Sequence, residues 1–153
     1  MQKKIYLDTS VFGGYFDQPF ELDTQIFFNT LGQNNYVLMI SDLLVSELSF
    51  APQEVQNILN NIPNQLLIEV LVTKDAEDLA DEYIIAKVVG KSSLNDCIHI
   101  ATATINNADI IASWNFKHIV NLTRIQGYNG VNKIKGYKEI EIRTPKEILY
   151  YDI

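Results

Sequence analysis

Short apolar runs alternate with segments of helical periodicity along most of the chain, and this alternation constrains the fold more than any other feature. Strands are predicted at residues 4–7, 36–40, 66–72 and 109–113. Helices are predicted between them, because apolar residues recur there at intervals of three and four, and Ser, Thr and acidic residues stand at the expected N-termini. Strands that alternate with helices favour an α/β fold, with a mostly parallel sheet and helices on both of its sides.

The pattern weakens after residue 115. Gly127, Gly130 and Gly136 interrupt the following stretch, which is therefore predicted to be rich in loops. An edge strand is predicted at residues 139–143, and the pair Thr144-Pro145 is typical of the start of a helix. Because the chain has no repeat, low-complexity segment or Pro/Gly/Ser-rich linker, residues 1–153 are predicted to form a single domain.

Composition indicates an ordinary globular protein of the cytoplasm. Apolar residues make up 47% of the chain and charged residues 20%, as in folded domains that bury one core. The only cysteine, Cys97, has no partner for an intramolecular disulfide and no second thiol for a zinc site. No apolar run reaches the roughly 18 residues typical of a membrane span, so no membrane association is expected. A small oligomer such as a homodimer is compatible with these features.

The charge distribution bears on nucleic-acid binding in two ways. A net charge of −7 disfavours a phosphate-backbone partner, because affinity for phosphates comes mostly from Lys and Arg. The acids are concentrated in residues 1–110, however, whereas bases outnumber acids in residues 111–153. An acidic N-terminal part and a mildly basic C-terminal part are compatible with a metal bound by the first and a nucleic-acid backbone bound by the second. Solvated helix faces explain the same distribution.

Three acidic residues stand where a parallel sheet presents its reactive groups. Asp8 ends the first predicted strand, Glu47 lies in the helix after the second, and Asp96 lies in the first turn of the helix before the fourth. If those three strands are neighbours, the carboxylates converge. Crowded carboxylates raise one another's pKa unless a cation lies between them, and oxygen ligands without nearby Cys or paired His favour Mg²⁺ or Mn²⁺.

Each acid also has an ordinary structural interpretation. Asp8 is suited to cap a short helix, Glu47 to face solvent, and Asp96 to favour the helix dipole from the first turn. Only the combination of the three supports a metal site. Thr9 and Ser10 follow Asp8 directly, and their hydroxyls are candidates to bind substrate, hold a water or orient a carboxylate.

Several other side chains near these acids are candidates with competing structural roles. His99 shares a helix face with Asp96, but a lone histidine on an apolar helix is more often a packed residue of the core or rim. Lys117 and His118 are candidates to contact phosphate, and His118 is equally compatible with an exposed helix residue. Trp114 is suited to stack on a base, although a wedge in the core is favoured.

Four segments together resemble a known family. The segments IYLDTSV, SDLLVSEL, SLNDCIHIATA and ADIIASWNFKHI resemble the four sequence blocks of PIN domains, in the order and spacing of the VapC-like branch. The resemblance implies a three-layer α/β/α fold and a metal-dependent ribonuclease that uses Mg²⁺ or Mn²⁺ to cut single-stranded or unpaired RNA. It also implies the toxin role of a toxin–antitoxin pair, with an antitoxin protein as partner. The family's first three acids correspond to Asp8, Glu47 and Asp96 as catalytic residues and metal ligands.

The chain departs from the family pattern at one position. Many PIN domains carry a fourth acid just past the fourth strand, where this chain has Asn115. An amide oxygen can join the catalytic site as a ligand but brings no charge. The alternative is therefore an inactive PIN-like module that binds a protein or RNA partner. Asp109 does not replace the acid, because it begins the predicted fourth strand, at the opposite end from the other acids. Aspartyl-phosphate chemistry on Asp8 fits worse, because Ser10 stands where such enzymes carry an acid.

Overall fold

Five parallel strands form one sheet within residues 2–151, the part of the chain that this computed structural model describes. The strand order is β3-β2-β1-β4-β5. The strands are β1 (Lys3–Leu7), β2 (Tyr36–Ser41), β3 (Leu67–Val70), β4 (Ile110–Ala112) and β5 (Glu141–Arg143). The helices are α1 (Thr9–Gly14), α2 (Glu21–Asn29), α3 (Asp42–Leu48), α4 (Gln53–Asn60), α5 (Lys74–Ile85), α6 (Leu94–Ile105), α7 (Leu122–Ile134) and α8 (Pro145–Tyr150), with 3₁₀ turns at Asn64–Leu66 and Lys91–Ser93.

Side chains of the central strand alternate between two apolar cores, one on each face of the sheet. Ile5 and Leu7 pack in one core with residues of α1, α2, α3, α4 and α8. Tyr6 points to the other core, which α5, α6 and α7 cover. The α/β class, the parallel sheet and the three layers are therefore confirmed. β5 is an edge strand, as predicted.

Four of the eight helices described start at residues whose side chains cap them. The Ser41 hydroxyl accepts a hydrogen bond from the backbone N–H of Leu44 at the start of α3, and Thr73 caps α5 in the same way. At α8, Thr144 and Glu147 form a reciprocal capping box, and Pro145 occupies the first helical position. Local sequence therefore determines these boundaries.

The prediction of a loop-rich stretch after residue 115 is wrong for residues 122–134, which form α7. Asn121 caps this helix by accepting from the N–H of Arg124. Gly127 lies inside it against Val88, and a Cβ at this position would come within 2.8 Å of Val88 Cγ1. The glycine thus permits close packing of α7 instead of breaking the helix, which the sequence pattern alone does not reveal.

Trp114, which follows β4, is the core wedge that the sequence favours. Its ring is 8% exposed and stacks on Phe20 at a centroid distance of 4.4 Å, while its indole N–H donates to Thr24 Oγ1. The end of α1 packs against the same ring, because a Cβ on Gly14 would lie 2.7 Å from Trp114 Cδ1. Trp114 is therefore engaged in packing and not displayed for base stacking.

Gly14→Ala is expected to lower the free energy of unfolding by about 1–3 kcal/mol, because the added methyl group overlaps a rigid, buried indole ring. Gly13→Ala is the matched control, since a Cβ on Gly13 meets no atom within 4 Å. That change should stabilise α1 by roughly 0.5–1 kcal/mol. Urea unfolding of both variants measures the difference, and equal effects would contradict the close packing of Gly14 on Trp114.

Within residues 2–151, none of the helices has the length and apolar character needed to cross a bilayer.

Candidate active site

The strand order brings the three candidate acids to one edge of the sheet. β1 lies between β2 and β4, so the neighbours required by the sequence argument are present. Asp8 directly follows β1 and is 4% exposed, Glu47 lies on α3 after β2, and Asp96 lies in the first turn of α6. Burial and then the charge of Asp8 raise the pKa of the Asp96 carboxyl, and Glu47 acts in the same direction. The three carboxylates therefore share one electrostatic field.

Asp8 is held by two serine hydroxyls. Ser10 Oγ donates to Asp8 Oδ2 at 2.6 Å, and Ser113 Oγ donates to the same oxygen at 2.8 Å. The two hydroxyls in turn accept from the backbone N–H groups of Trp114 and Asn115, each at 2.9 Å. These bonds tie the segment after β4 to the end of β1, so they fix both the orientation of Asp8 and the path of the chain through Asn115.

Glu47 is held on one oxygen by two donors. Thr9 Oγ1 lies 2.6 Å and His99 Nε2 2.5 Å from Glu47 Oε1. Burial by itself raises the pKa of this carboxyl, but the hydrogen bonds from His99 and Thr9 outweigh it and lower the pKa below its usual value. Glu47 is therefore kept ionised in a half-buried position.

The substrate-binding role of Thr9 and Ser10 stays a prediction, because the structure gives their hydroxyls a different contact. Both hydroxyls donate to the acids, so they orient carboxylates, the other role that the sequence allowed. Ser113 shares this task but did not appear among the sequence candidates. Its position just after β4 could have indicated this role. Ala112 pairs with Leu7, so Ser113 lies beside Asp8.

His99 combines burial with a contact to the site. It is 1% exposed, as expected for a core histidine, yet its ring bonds to Glu47. Sequence reasoning found its face of α6 but not this partner. Asp109 accepts from the backbone N–H of Lys4, which confirms its place at the opposite end of the sheet from the acids.

Asn115 uses its side-chain oxygen to cap a turn. Oδ1 accepts from the backbone N–H of Lys117 at 3.2 Å and of His118 at 3.0 Å. Both lone pairs of this oxygen are thereby engaged, so it would have to release a backbone N–H to ligate a metal, and the catalytic role of Asn115 stays a prediction. The side-chain NH₂ group remains as a donor, and Asn115 stays close to the acids through its backbone bond to Ser113.

Lys117 and His118 lie in the turn that Asn115 caps. Lys117 is exposed, whereas His118 is half-buried in a turn and is not an exposed helix residue, which corrects that alternative. Within residues 2–151, His118 Nδ1 is a buried atom without a hydrogen-bond partner. The charge of His118 acts to lower the pKa of Asp96, against the larger raising effects of burial and Asp8. His118 therefore lies within the electrostatic reach of the acids.

The chemistry of the three acids fits a hard divalent cation. Asp8 Oδ1, Glu47 Oε2 and both oxygens of Asp96 accept no hydrogen bond from residues 2–151. Oxygen donors in a shared negative field are the ligands that Mg²⁺ and Mn²⁺ prefer. No three His, Cys, Asp or Glu side chains in the described range are already spaced as a ligand group, so an ion would have to draw the carboxylates together.

Without divalent ions, Asp96→Asn is expected to raise the free energy of unfolding at pH 7, because the folded protein disfavours the Asp96 charge. The pKa of Asp96 in the folded protein lies above the unfolded value of about 3.9. The destabilisation by the Asp96 charge is therefore absent at pH values below the unfolded pKa and fully present at pH values above the folded pKa. The advantage of the variant should therefore fade as the pH falls. Urea unfolding in a chelator measures it, with Asp17→Asn at an exposed turn as control; a pH-independent difference would contradict the raised pKa.

Comparison with known proteins agrees with this arrangement. The family model of the PIN domain matches residues 5–117. The chain belongs to the PIN-domain family. This PIN domain is similar to VapBC2 from Rickettsia felis, solved bound to a DNA fragment from its promoter, with 15% identity, a TM-score of 0.57, and coverage of 92% of this chain and 98% of that one.

A second solved structure has the same architecture. VapC20 from Mycobacterium tuberculosis, described as a sarcin-ricin loop cleaving toxin, has 14% identity and a TM-score of 0.56, with coverage of 90% of this chain and 98% of that one. At these identities the likeness establishes the shared fold, which confirms the three-layer prediction. No curated protein matches the chain.

Proposed function

We propose that this PIN domain is an endoribonuclease that uses Mg²⁺ or Mn²⁺ to cut single-stranded or unpaired RNA. The observation that carries the proposal is the placement of Asp8, Glu47 and Asp96 on segments that meet at the carboxyl ends of the neighbouring strands β1, β2 and β4. Two of these carboxylates are fixed through one oxygen, which leaves the other oxygen for a ligand. Membership of the PIN family, matched over residues 5–117, supports a nuclease.

The side chains of the site would divide the work between holding charge and contacting RNA. Asp8, Glu47 and Asp96 would hold the ion, which when bound lowers the pKa of a water ligand and stabilises charge on the scissile phosphate. The serines keep Asp8 in place, and the donors on Glu47 keep that carboxylate ionised. Lys117 adds a positive charge on the exposed turn next to Asn115 and is suited to contact a phosphate.

We also propose that the protein is the toxin of a toxin–antitoxin pair. Two structural neighbours are a VapBC2 complex and a VapC20 toxin described as cleaving the sarcin-ricin loop, and this chain shares their fold. On this basis we expect an RNA substrate and an antitoxin protein partner. Expression of the protein with the reading frames that flank its gene, followed by affinity purification, tests the partnership; a protein that purifies without a partner and leaves growth unaffected would contradict it.

An inactive PIN-like module is the second candidate, and Asn115 favours it. The position carries an amide whose oxygen is committed to capping a turn, so a fourth negative ligand is lacking. Such a module would bind RNA or a protein without cutting it. The two candidates differ in one measurable property, because only the nuclease should convert RNA to fragments in a metal-dependent way.

The test is cleavage of end-labelled single-stranded RNA, with the same sequence as a duplex for comparison. The nuclease predicts fragments from the single strand with Mg²⁺ or Mn²⁺ and none with EDTA. Binding without fragments under all metal conditions would favour the inactive module. Fragments that persist in EDTA would contradict the metal dependence and indicate a contaminating ribonuclease.

A further inference from the structure

A buried row of hydrogen bonds links two strands of the sheet to the carboxylate of Glu47. Tyr6 Oη lies 2.8 Å from Ser41 Oγ and 2.6 Å from His99 Nδ1. The second ring nitrogen, His99 Nε2, lies 2.5 Å from Glu47 Oε1. Tyr6, Ser41 and His99 are each at most 1% exposed, so water does not compete for these bonds. The row connects β1, β2 and α6 to α3.

The partners at the two ends determine which atom donates in each bond. Glu47 Oε1 already accepts from Thr9, and a carboxylate oxygen only accepts, so His99 Nε2 carries the proton of its bond to Glu47. In a neutral ring, His99 Nδ1 then accepts from the Tyr6 hydroxyl, which burial keeps protonated by raising its pKa. Tyr6 Oη in turn accepts from Ser41. This direction gives every hydroxyl proton in the row an acceptor.

The opposite direction leaves one group unsatisfied. If His99 Nδ1 carried a proton, Tyr6 would accept from the ring and donate to Ser41. Ser41 Oγ already accepts from the backbone N–H of Leu44, and within residues 2–151 its own proton would then have no acceptor. A buried hydroxyl without an acceptor is disfavoured by about 1–3 kcal/mol. The geometry therefore selects the tautomer with its proton on Nε2.

We propose that His99 is a positioning residue for Glu47, held by Tyr6 in the Nε2–H tautomer so that Oε1 is fixed and Oε2 is left for a ligand of the site. The inference rests on the proposed function only in taking that ligand to be a divalent ion. Thr9 Oγ1 donates to the same oxygen of Glu47. Oε1 therefore has two donors, while Oε2 has none among residues 2–151.

The same bond joins the helices that carry two of the acids. Asp96 lies three residues before His99 on α6, and Glu47 lies on α3. A loss of the His99–Glu47 bond would release the carboxylate from the helix that carries Asp96. A histidine that merely fills the core would instead affect stability without changing how the site binds an ion, and this difference is measurable.

Four variants separate the positioning role from packing. His99→Leu removes the donor to Glu47, whereas His99→Gln keeps an N–H group at a similar position. Tyr6→Phe removes the hydroxyl that holds the tautomer and keeps the ring. Tyr83→Phe is the matched control, because Tyr83 is an equally buried tyrosine of the same core whose hydroxyl bonds to Asn132 away from the acids.

The first readout is the long-range ¹H–¹⁵N spectrum of the imidazole rings. The chain has two histidines, so the His99 signals are assigned by their absence in His99→Gln. We expect a protonated Nε2 and an unprotonated Nδ1 in the parent, and a mixture of tautomers in Tyr6→Phe. A parent ring with its proton on Nδ1 would overturn the proposal. This readout does not depend on metal or activity.

The second readout is Mn²⁺ binding by titration calorimetry, with circular dichroism to confirm folding. Loss of an outer partner of a metal ligand typically weakens metal binding about 10–100-fold. We expect a Kd in this range above the parent value for His99→Leu and Tyr6→Phe, recovery in His99→Gln, and no change in Tyr83→Phe.

The outcomes separate this proposal from the proposed function. Parent-like Mn²⁺ affinity in Tyr6→Phe, or equal weakening in Tyr83→Phe, would overturn the positioning role. If His99→Leu does not fold, the comparison of Tyr6→Phe with Tyr83→Phe still decides. Absence of Mn²⁺ binding by the parent would contradict the proposed function instead, and the tautomer spectrum would then decide the positioning role.

Discussion

Asp96→Asn is expected to reduce Mg²⁺-dependent cleavage of single-stranded RNA more than about 100-fold, because loss of even an outer partner of a metal ligand typically weakens a site 10–100-fold. The change replaces one of the three carboxylates that are proposed to bind the ion by an uncharged amide. Folding should not suffer, since the same change relieves the repulsion from Asp8 and Glu47. Cleavage rates at saturating RNA, measured across a Mg²⁺ titration, give the size of the loss.

Asp109→Asn is the matched control for this prediction. Asp109 lies immediately before β4, at the opposite end of the strands from Asp8, where it accepts from the backbone N–H of Lys4. Its replacement changes the same chemical group and makes the net charge less negative by the same amount, but it leaves the three candidate acids intact. Equal loss of cleavage in both variants would point to a general charge effect, and full activity of Asp96→Asn would contradict the metal-site assignment.

Features determined by local sequence were predictable in this chain. The strands follow from short apolar runs, and the starts of α3 and α5 follow from Ser41 and Thr73, whose hydroxyls cap backbone N–H groups three residues later. The meeting of the acids at one edge followed from a general property of parallel sheets once β1, β2 and β4 were taken as neighbours.

Features that depend on contacts between distant residues were not predictable. α7 contains Gly127, which reads as a helix breaker until its packing on Val88 is known. The bond between His99 and Glu47 joins residues on separate helices. No local sequence pattern indicates that these two residues are partners. The capping role of Asn115 depends on the turn that follows it. In each case the local sequence pattern is compatible with more than one structure, and a tertiary contact determines which one forms.

Asn115→Asp is expected to lower the Mg²⁺ concentration for half-maximal cleavage by about tenfold, since affinity for a hard cation rises with ligand charge. One carboxylate oxygen can keep the two backbone bonds to Lys117 and His118 that Asn115 Oδ1 accepts. The second oxygen then replaces the NH₂ group and adds a negative charge close to Asp8, to which Ser113 connects the Asn115 backbone. Without Mg²⁺ this charge joins three others, so the difference in Tm between Mg²⁺-bound and metal-free protein should widen.

Asn121→Asp is the control that isolates position from chemistry. Asn121 also caps a turn of backbone through its side-chain oxygen, by accepting from the N–H of Arg124 at the start of α7, so the change adds the same charge to the same kind of cap. It should strengthen the cap modestly, by a few tenths of a kcal/mol from the helix dipole, and leave the metal midpoint unchanged. If the Mg²⁺ concentration for half-maximal cleavage shifted equally in both variants, the added net charge alone would explain the effect. An unchanged midpoint in Asn115→Asp would mean that the fourth position does not reach the ion, so that Asp8, Glu47 and Asp96 hold it alone.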